Sequence, residues 1–128
     1  MSEAFDAARP TYASLATFRR DGREVRTPVW IAGDGKRLYV YTNAKSGKVK
    51  RVRANGRARV AACDARGKLK QPEVWREARA RLVTDPVAME PGFAALFAKY
   101  GWQLRVALLA SRISGRYKDR AILELELV

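Results

Sequence analysis

Residues 39–60 read YVYTNAKSGKVKRVRANGRARV, and this stretch decides how the chain folds around its most basic segment. A β-type run ends at the turn Ser46-Gly47-Lys48, which opens a basic helix. The N-terminus of a helix has backbone N–H groups without intrahelical partners and carries partial positive charge. Ser46 as the N-cap and Lys48 would add a hydroxyl and an ammonium group. The segment therefore predicts a site for phosphate or another anion.

Outward from that turn, β-type runs alternate with turns, and Asp21-Gly22 is typical of a tight hairpin. The predicted strands are Tyr12–Arg20, Glu24–Ile31, Lys36–Thr42, Arg57–Asp64, Glu73–Thr84 and Ala121–Val128. In the last of these, Leu123 and its alternate neighbours oppose Glu124 and Glu126. We expect the two carboxylates on the outer face, where charge discourages pairing at a sheet edge.

Three helices are predicted from apolar spacing and end signals. The first begins at Ser46 and ends at Asn55-Gly56, and the others span Pro86–Tyr100 and Trp102–Ile113. We expect five to seven short antiparallel strands closed by these helices, for which a small β-barrel is the natural solution. We interpret Trp30, Trp75 and Trp102 as core or dimer contacts, and Cys63 as a small core residue.

Length and composition predict one folded domain over residues 1–128 with a strongly basic surface. The chain has 26 Lys plus Arg against 13 Asp plus Glu, a formal net charge of +13. This balance favours polyanions and phosphorylated ligands without choosing between them. A hydrophobic content of 48% is that of an ordinary globular protein.

The absence of histidine and the single cysteine exclude many kinds of site. Disulfides, His/Cys zinc sites, Ser-His-Asp triads and Cys-His dyads cannot form within the chain, and we predict no metal site. The first ten residues, MSEAFDAARP, lack the pattern of a signal peptide, and the longest apolar run, Val106–Ala110, is too short to span a bilayer. We therefore expect a soluble, cytoplasmic protein without membrane contact.

The basic segment between Gly35 and Ala62 holds nine Lys and Arg residues and no carboxylate. It fits a phosphate site, a nucleic-acid surface on which aromatic residues stack bases, or a solvated basic face. No P-loop or nucleic-acid-binding motif is present, which disfavours nucleotide hydrolysis and makes nucleic acid the weaker partner. Asp21, Asp34 and Asp64 lie at turns, so we assign no carboxylate a catalytic role.

Residues 15–63 read LATFRRDGREVRTPVWIAGDGKRLYVYTNAKSGKVKRVRANGRARVAAC. Taken in order, the Ala-Thr strand, the DG turn, RTPVW, YTN, SGKVKR and NGRARV resemble the pyridoxamine-phosphate-oxidase-like flavin and deazaflavin proteins, the split β-barrel superfamily. The resemblance covers Leu15–Leu82 and fades after Asp85. Within the superfamily the chain is most similar to small bacterial oxidoreductases that depend on coenzyme F420, an 8-hydroxy-5-deazaflavin, with FMN as the alternative cofactor.

The resemblance implies a mainly β, six-stranded antiparallel split barrel with flanking helices, and a homodimer with two cofactor sites at its interface. It implies hydride transfer between F420 and a small organic substrate. An FMN-binding flavoprotein, a cofactor carrier without turnover and a nucleic-acid-binding barrel remain alternatives.

The cofactor-binding residues that the resemblance implies fall into three groups, for the ring, the ribityl chain and the phosphate. The ring would be lined by Arg26, Thr27, Pro28 and Val29. Tyr41 and Thr42 would lie beside the ribityl chain. The phosphate would be held by Ser46, Gly47, Lys48 and Lys50, with added charge from Arg51. Gln71 and Trp75 are candidates for contacts across the dimer.

Overall fold

A computed structural model describes residues 12–33, 36–69 and 75–128, which form seven strands and three α-helices. The strands are β1 (Tyr12–Phe18), β2 (Glu24–Val29), β3 (Ile31–Gly33), β4 (Arg37–Asn43), β5 (Arg57–Cys63), β6 (Arg76–Val83) and β7 (Arg120–Leu127). The helices are α1 (Gly47–Ala54), α2 (Pro86–Tyr100) and α3 (Trp102–Ile113), and a 3₁₀ turn spans Tyr117–Asp119. Each predicted strand and helix is present. Asp34, Gln71 and the first two residues of the strand predicted from Glu73 lie outside the described residues.

The strands form one antiparallel sheet in the order β2-β1-β5-β6-β7-β4-β3. β2 and β3 lie at opposite ends of this order, yet only Trp30 separates them along the chain. Because a single residue spans at most about 3.6 Å, the two ends of the sheet must meet at Trp30. The sheet therefore curls round, and the seven strands are the expected six with the second one bent at Trp30.

The strand order corrects the prediction that Glu124 and Glu126 protect a sheet edge. β7 lies between β6 and β4, so it is an inner strand of the sheet. Glu124 instead forms cross-strand ion pairs with Arg81, at 3.0 Å, and with Arg37, at 3.4 Å. The alternation of apolar and charged residues predicted the two faces of β7 correctly, but it carries no information about a strand's neighbours.

The concave side of the sheet holds the main hydrophobic core. Buried side chains from all seven described strands meet there, among them Leu15, Ile31, Val40, Val60, Leu123 and Leu125. Val49 and Val52 of α1, one helical turn apart as predicted, pack into the same cluster. Each buried aliphatic side chain contributes about 1.5–3 kcal/mol, so two valines fix the rotation of this short helix on the sheet. Cys63 is buried, as predicted.

A second hydrophobic cluster joins α2 and α3 to the outside of the sheet. Leu96 of α2 and Leu104 of α3 are fully buried in it, together with Ile122 of β7. Asp85 is the N-cap of α2, and its carboxylate accepts a hydrogen bond from the backbone N–H of Ala88 at 3.0 Å. None of the helices in this described portion of the chain is long and apolar enough to cross a membrane.

Tyr100, at the C-terminal end of α2, holds the bend between β2 and β3. Its hydroxyl accepts from the Ile31 N–H at 3.0 Å and donates to the Ile31 carbonyl at 3.2 Å. Lys99 Nζ donates to the same carbonyl at 2.6 Å. The Tyr100 ring stacks on Trp30 with centroids 4.7 Å apart. The bend is therefore fixed by hydrogen bonds and stacking from Tyr100, together with one hydrogen bond from Lys99.

Tyr100→Phe tests this anchoring, because the substitution keeps the ring and removes the hydroxyl. The Ile31 N–H would lose a buried partner, so we expect a loss of about 1–3 kcal/mol in the free energy of unfolding. Urea denaturation measures it. Tyr117→Phe is the control, since that hydroxyl is exposed and accepts from Arg112, and the loss of stability on its removal should stay within about 0.5 kcal/mol. Equal losses would contradict the assigned role of Tyr100.

The pH dependence of stability, compared between the native chain and Tyr100→Phe, gives a second test of this anchoring. Burial raises the pKa of Tyr100 to about 12 from the ordinary 10.0. The folded chain therefore holds this proton more tightly than the unfolded chain. The resulting contribution to stability is complete below pH 10 and is lost as the pH rises towards 12. Tyr100→Phe should lack this loss.

Candidate functional site

The start of α1 is open to an anion. Ser46 is the N-cap, as predicted, but its side chain makes no capping bond. Its hydroxyl lies 3.2 Å from Thr42 Oγ1 instead. The N–H groups of the first helical turn have no intrahelical acceptor, and no side chain of the described residues caps them. Ser46 and Thr42, both predicted site residues, are therefore in contact beside uncapped amides.

Arg51 folds back over the first residue of its own helix. Its Nε donates to the buried Thr17 hydroxyl at 2.7 Å. A Cβ atom placed on Gly47 would lie only 2.9 Å from Arg51 Nη1. The guanidinium therefore occupies the space that a side chain at Gly47 would need. Burial and the neighbouring charge of Arg19 lower the pKa of Arg51.

Lys48 adds a third positive charge to those of Arg51 and Arg19, and we call these three residues the cationic cluster. Its side chain is half-buried, and burial together with Arg51 lowers its pKa. Within the described part of the chain, neither Lys48 nor Arg51 forms an ion pair with a carboxylate. Like charges that are partly removed from water cost free energy unless an anion balances them. The cluster is therefore suited to a phosphate group.

Lys48 also lines an open cavity of about 300 Å³ next to this cluster. The cavity is bounded by Tyr12, Pro28, Val29, Trp30, Tyr41, Lys48 and Ala107. Four predicted site residues thus meet in one place: Pro28, Val29, Tyr41 and Lys48. Mostly apolar and aromatic walls with one cationic group are typical of sites for flat organic ligands.

Three residues of the cavity wall were missed by sequence reasoning. Trp30 was interpreted as a core or dimer contact, Tyr12 as an ordinary strand residue, and Ala107 lies in α3, beyond the reach of the resemblance. Trp30 reaches the cavity because it forms the bend between β2 and β3. That bend depends on Tyr100, which is 69 residues from Ile31 in sequence, so no local pattern could have indicated it.

Arg26, Thr27 and Lys50 do not line this cavity. Arg26 forms an ion pair with Glu24 and stacks on Trp75, with its Cζ 4.8 Å from the ring centroid. Thr27 lies in β2 opposite Leu15 of β1, and Lys50 is exposed on α1. Their predicted contacts with the cofactor stay predictions.

Trp75 contacts a second arginine as well, since the Cζ of Arg59 lies 4.6 Å from its ring centroid. Arg59 in turn pairs with Glu24 at 2.6 Å.

No cluster of three or more Cys, Asp or Glu side chains that could bind a metal ion occurs in the three described ranges.

A curled antiparallel sheet whose ends meet at one bent strand, with α2 and α3 packed outside it, defines the chain as a split β-barrel. The chain belongs to the pyridoxamine 5'-phosphate oxidase family, whose sequence model matches residues 1–128. The resemblance drawn from residues 15–82 is thereby confirmed at the level of the superfamily.

Solved structures agree with this fold at low sequence identity. An F420 reductase is 22% identical, with a TM-score of 0.61 over 95% of this chain and 90% of the other. HutZ, a heme storage protein from Vibrio cholerae, is 14% identical, with a TM-score of 0.67 over 95% and 84%. A heme binding protein from Mycobacterium smegmatis is 16% identical, with a TM-score of 0.61 over 94% and 48%. Among curated proteins, none matches the chain in sequence.

Gly47→Ala tests the packing of Arg51 over the start of α1. The new methyl group would displace the guanidinium and weaken its hydrogen bond to Thr17, while alanine favours the helix, so we expect the free energy of unfolding to stay within about 1 kcal/mol of the native value. Binding of inorganic phosphate should weaken severalfold, because the displaced guanidinium no longer faces the first turn. Isothermal titration calorimetry measures the binding and thermal unfolding the stability. Full phosphate affinity in the variant would contradict this arrangement.

Proposed function

We propose that the chain is an oxidoreductase that binds coenzyme F420 and transfers a hydride between it and a small organic substrate. The observation that carries the proposal is the position of Lys48, which belongs both to the cationic cluster at α1 and to the neighbouring apolar cavity. A ligand with a phosphate on one side and a flat ring on the other would satisfy both. Phosphorylated flavins and deazaflavins have this form.

The uncapped amides at the start of α1, with Lys48 and Arg51, would hold the phosphate. The other residues that we assign to the phosphate are Ser46, Gly47 and Lys50. Those assigned to the ribityl chain are Tyr41 and Thr42, and those assigned to the ring are Arg26, Thr27, Pro28 and Val29. When bound, the cofactor supplies a ring atom that gives or accepts the hydride. The chain's residues orient the ring and exclude water, a task that needs no histidine or other side-chain nucleophile.

Three structural neighbours and the family itself point to different cofactors. The structural neighbour named as an F420 reductase supports the deazaflavin, whereas membership of the pyridoxamine 5'-phosphate oxidase family keeps FMN as the alternative. Two other neighbours are named for heme. The present chain has no histidine, so it lacks the commonest axial ligand of heme iron. We therefore rank F420 first and FMN second.

We further propose that two copies of the chain form a homodimer that encloses the cofactor. The outward face of α3 exposes Trp102, Val106, Leu109 and Ile113, with 72%, 56%, 58% and 81% of their surfaces accessible. Their spacing of four, three and four residues is typical of a helix that packs along another helix. Ala107 of the same helix lines the open cavity. A second copy seated on this face would cover both the apolar side chains and the cavity.

Fluorescence titration with F420 and, separately, FMN tests the cofactor assignment. We expect micromolar or tighter binding, and Lys48→Ala should weaken it at least about tenfold, because a partly desolvated charge-assisted contact contributes about 1.5–3 kcal/mol. Arg53→Ala is the matched control: it removes one exposed positive charge from the same helix and should leave cofactor affinity nearly unchanged.

Four other outcomes of the titration and of a substrate screen would redirect the assignment. Preference for FMN would move the chain to the flavin alternative. Binding of the cofactor without turnover in a substrate screen would indicate a carrier. Binding to neither cofactor, with salt-sensitive binding to nucleic acid, would contradict the oxidoreductase proposal, and equal effects of the two variants would contradict the phosphate site.

The double variant Val106→Glu with Leu109→Glu tests the dimer. Two carboxylates on the exposed face of α3 should leave the monomer folded, since neither side chain is buried, but they should prevent packing against a second apolar face. Sedimentation equilibrium should report a dimer for the native chain and a monomer for the variant. A dimer in both would place the interface elsewhere.

A further inference from the structure

A second cavity, of about 390 Å³, lies between α2, α3 and the start of β7. Its apolar wall consists of Pro86, Met89, Phe93, Phe97 and Leu108. None of these residues borders the cavity beside Lys48. Phe93 does contact Tyr41 edge to face, with ring centroids 6.0 Å apart, so one aromatic pair contributes to both cavities. The volume lies in the range of about 300–1,000 Å³ that is usual for small-molecule sites.

Two arginines and a tyrosine form the polar part of this cavity. The Cζ atoms of Arg112 and Arg120 lie 4.3 Å and 4.1 Å from the centroid of the Tyr117 ring. Arg112 Nη2 donates to the Tyr117 hydroxyl at 3.2 Å, and Arg120 Nη1 donates to the Tyr117 carbonyl at 3.2 Å. The aromatic ring and these hydrogen bonds hold both guanidiniums beside the cavity.

Neither guanidinium forms an ion pair with any carboxylate in the described residues. Asp119, the adjacent acid in sequence, pairs with Lys45 at 3.5 Å. Each guanidinium has five N–H donors and uses one of them on Tyr117. Glu90 is the one carboxylate on the cavity wall, so two positive charges face one negative charge there. The remaining donors suit an acidic group on a ligand.

We propose that this cavity binds an amphipathic carboxylate, with its apolar chain against Phe93, Phe97 and Leu108 and its acidic head on Arg112 and Arg120. Arginine is well suited to this role because its planar donors match a carboxylate. The apolar wall favours a ligand with a hydrocarbon chain of several carbons, and the guanidiniums favour a ligand with a negatively charged head. The inference stands apart from the proposed function, because neither its residues nor its test requires a cofactor.

Calorimetric titration of the full chain without cofactor, using decanoate, acetate and decanol as probes, tests the proposal. Decanoate combines both parts of the ligand, whereas acetate has only the head and decanol only the chain. We expect one decanoate per chain, bound at least about tenfold more tightly than either of the other two. Arg112→Gln and Arg120→Gln should each weaken decanoate binding about tenfold and leave decanol binding unchanged.

Two further variants serve as controls within the same protein. Glu90→Gln removes a carboxylate from the cavity wall and should preserve or strengthen decanoate binding. Lys48→Ala changes the other cavity and should leave decanoate binding unchanged, which separates this proposal from the cofactor assignment. Circular dichroism checks that each variant is folded, and Arg112, being exposed, can be substituted without disturbing the core. Equal affinity of the native chain and Arg112→Gln for decanoate, tight binding of decanol, or no decanoate binding at all would overturn the proposal.

Discussion

The fold depends on one bent strand whose two halves, β2 and β3, form the two ends of the sheet. β2 pairs with β1 and β3 pairs with β4, so the single residue between β2 and β3, Trp30, joins the first and the last strand of the seven-stranded order. The sheet can satisfy both pairings only by curling. Tyr100 fixes the bend by binding both backbone groups of Ile31. The curled sheet then provides the concave surface on which the main core is built.

α1 connects that core to the candidate site. Val49 and Val52 are buried on the concave side of the sheet, while Lys48 and the guanidinium of Arg51 lie beside the first turn of the same helix. Because the valines fix the helix, the positive groups and the uncapped amides are held in place before a ligand arrives. Clustered positive charge is unfavourable in the free chain, and the hydrophobic burial of the same helix offsets that cost. Electrostatic preorganisation of this kind is how proteins bind phosphate groups tightly.

Local sequence patterns predicted the strands and helices, because alternation, turn residues and apolar spacing report the immediate surroundings of each residue. They also indicated the start of α1 as an anion site and, through the resemblance, grouped Pro28, Val29, Tyr41 and Lys48. Contacts between distant residues were beyond their reach. Three such features depend on the folded chain. Tyr100 binds Ile31, Trp30 lines the cavity, and the guanidinium of Arg51 packs over Gly47. The neighbours of β7 were mispredicted for the same reason, since one strand's pattern does not reveal strand order.

The most direct test of the account is a crystal structure of the chain with F420 or FMN bound, whichever binds more tightly. The account predicts phosphate oxygens within hydrogen-bond distance of Lys48 Nζ and the first-turn amides of α1, and the ring in the cavity against Pro28 and Val29. A phosphate bound elsewhere, for example on Arg112 and Arg120, or a ring outside that cavity, would contradict the central claim that the start of α1 and its neighbouring cavity form one cofactor site.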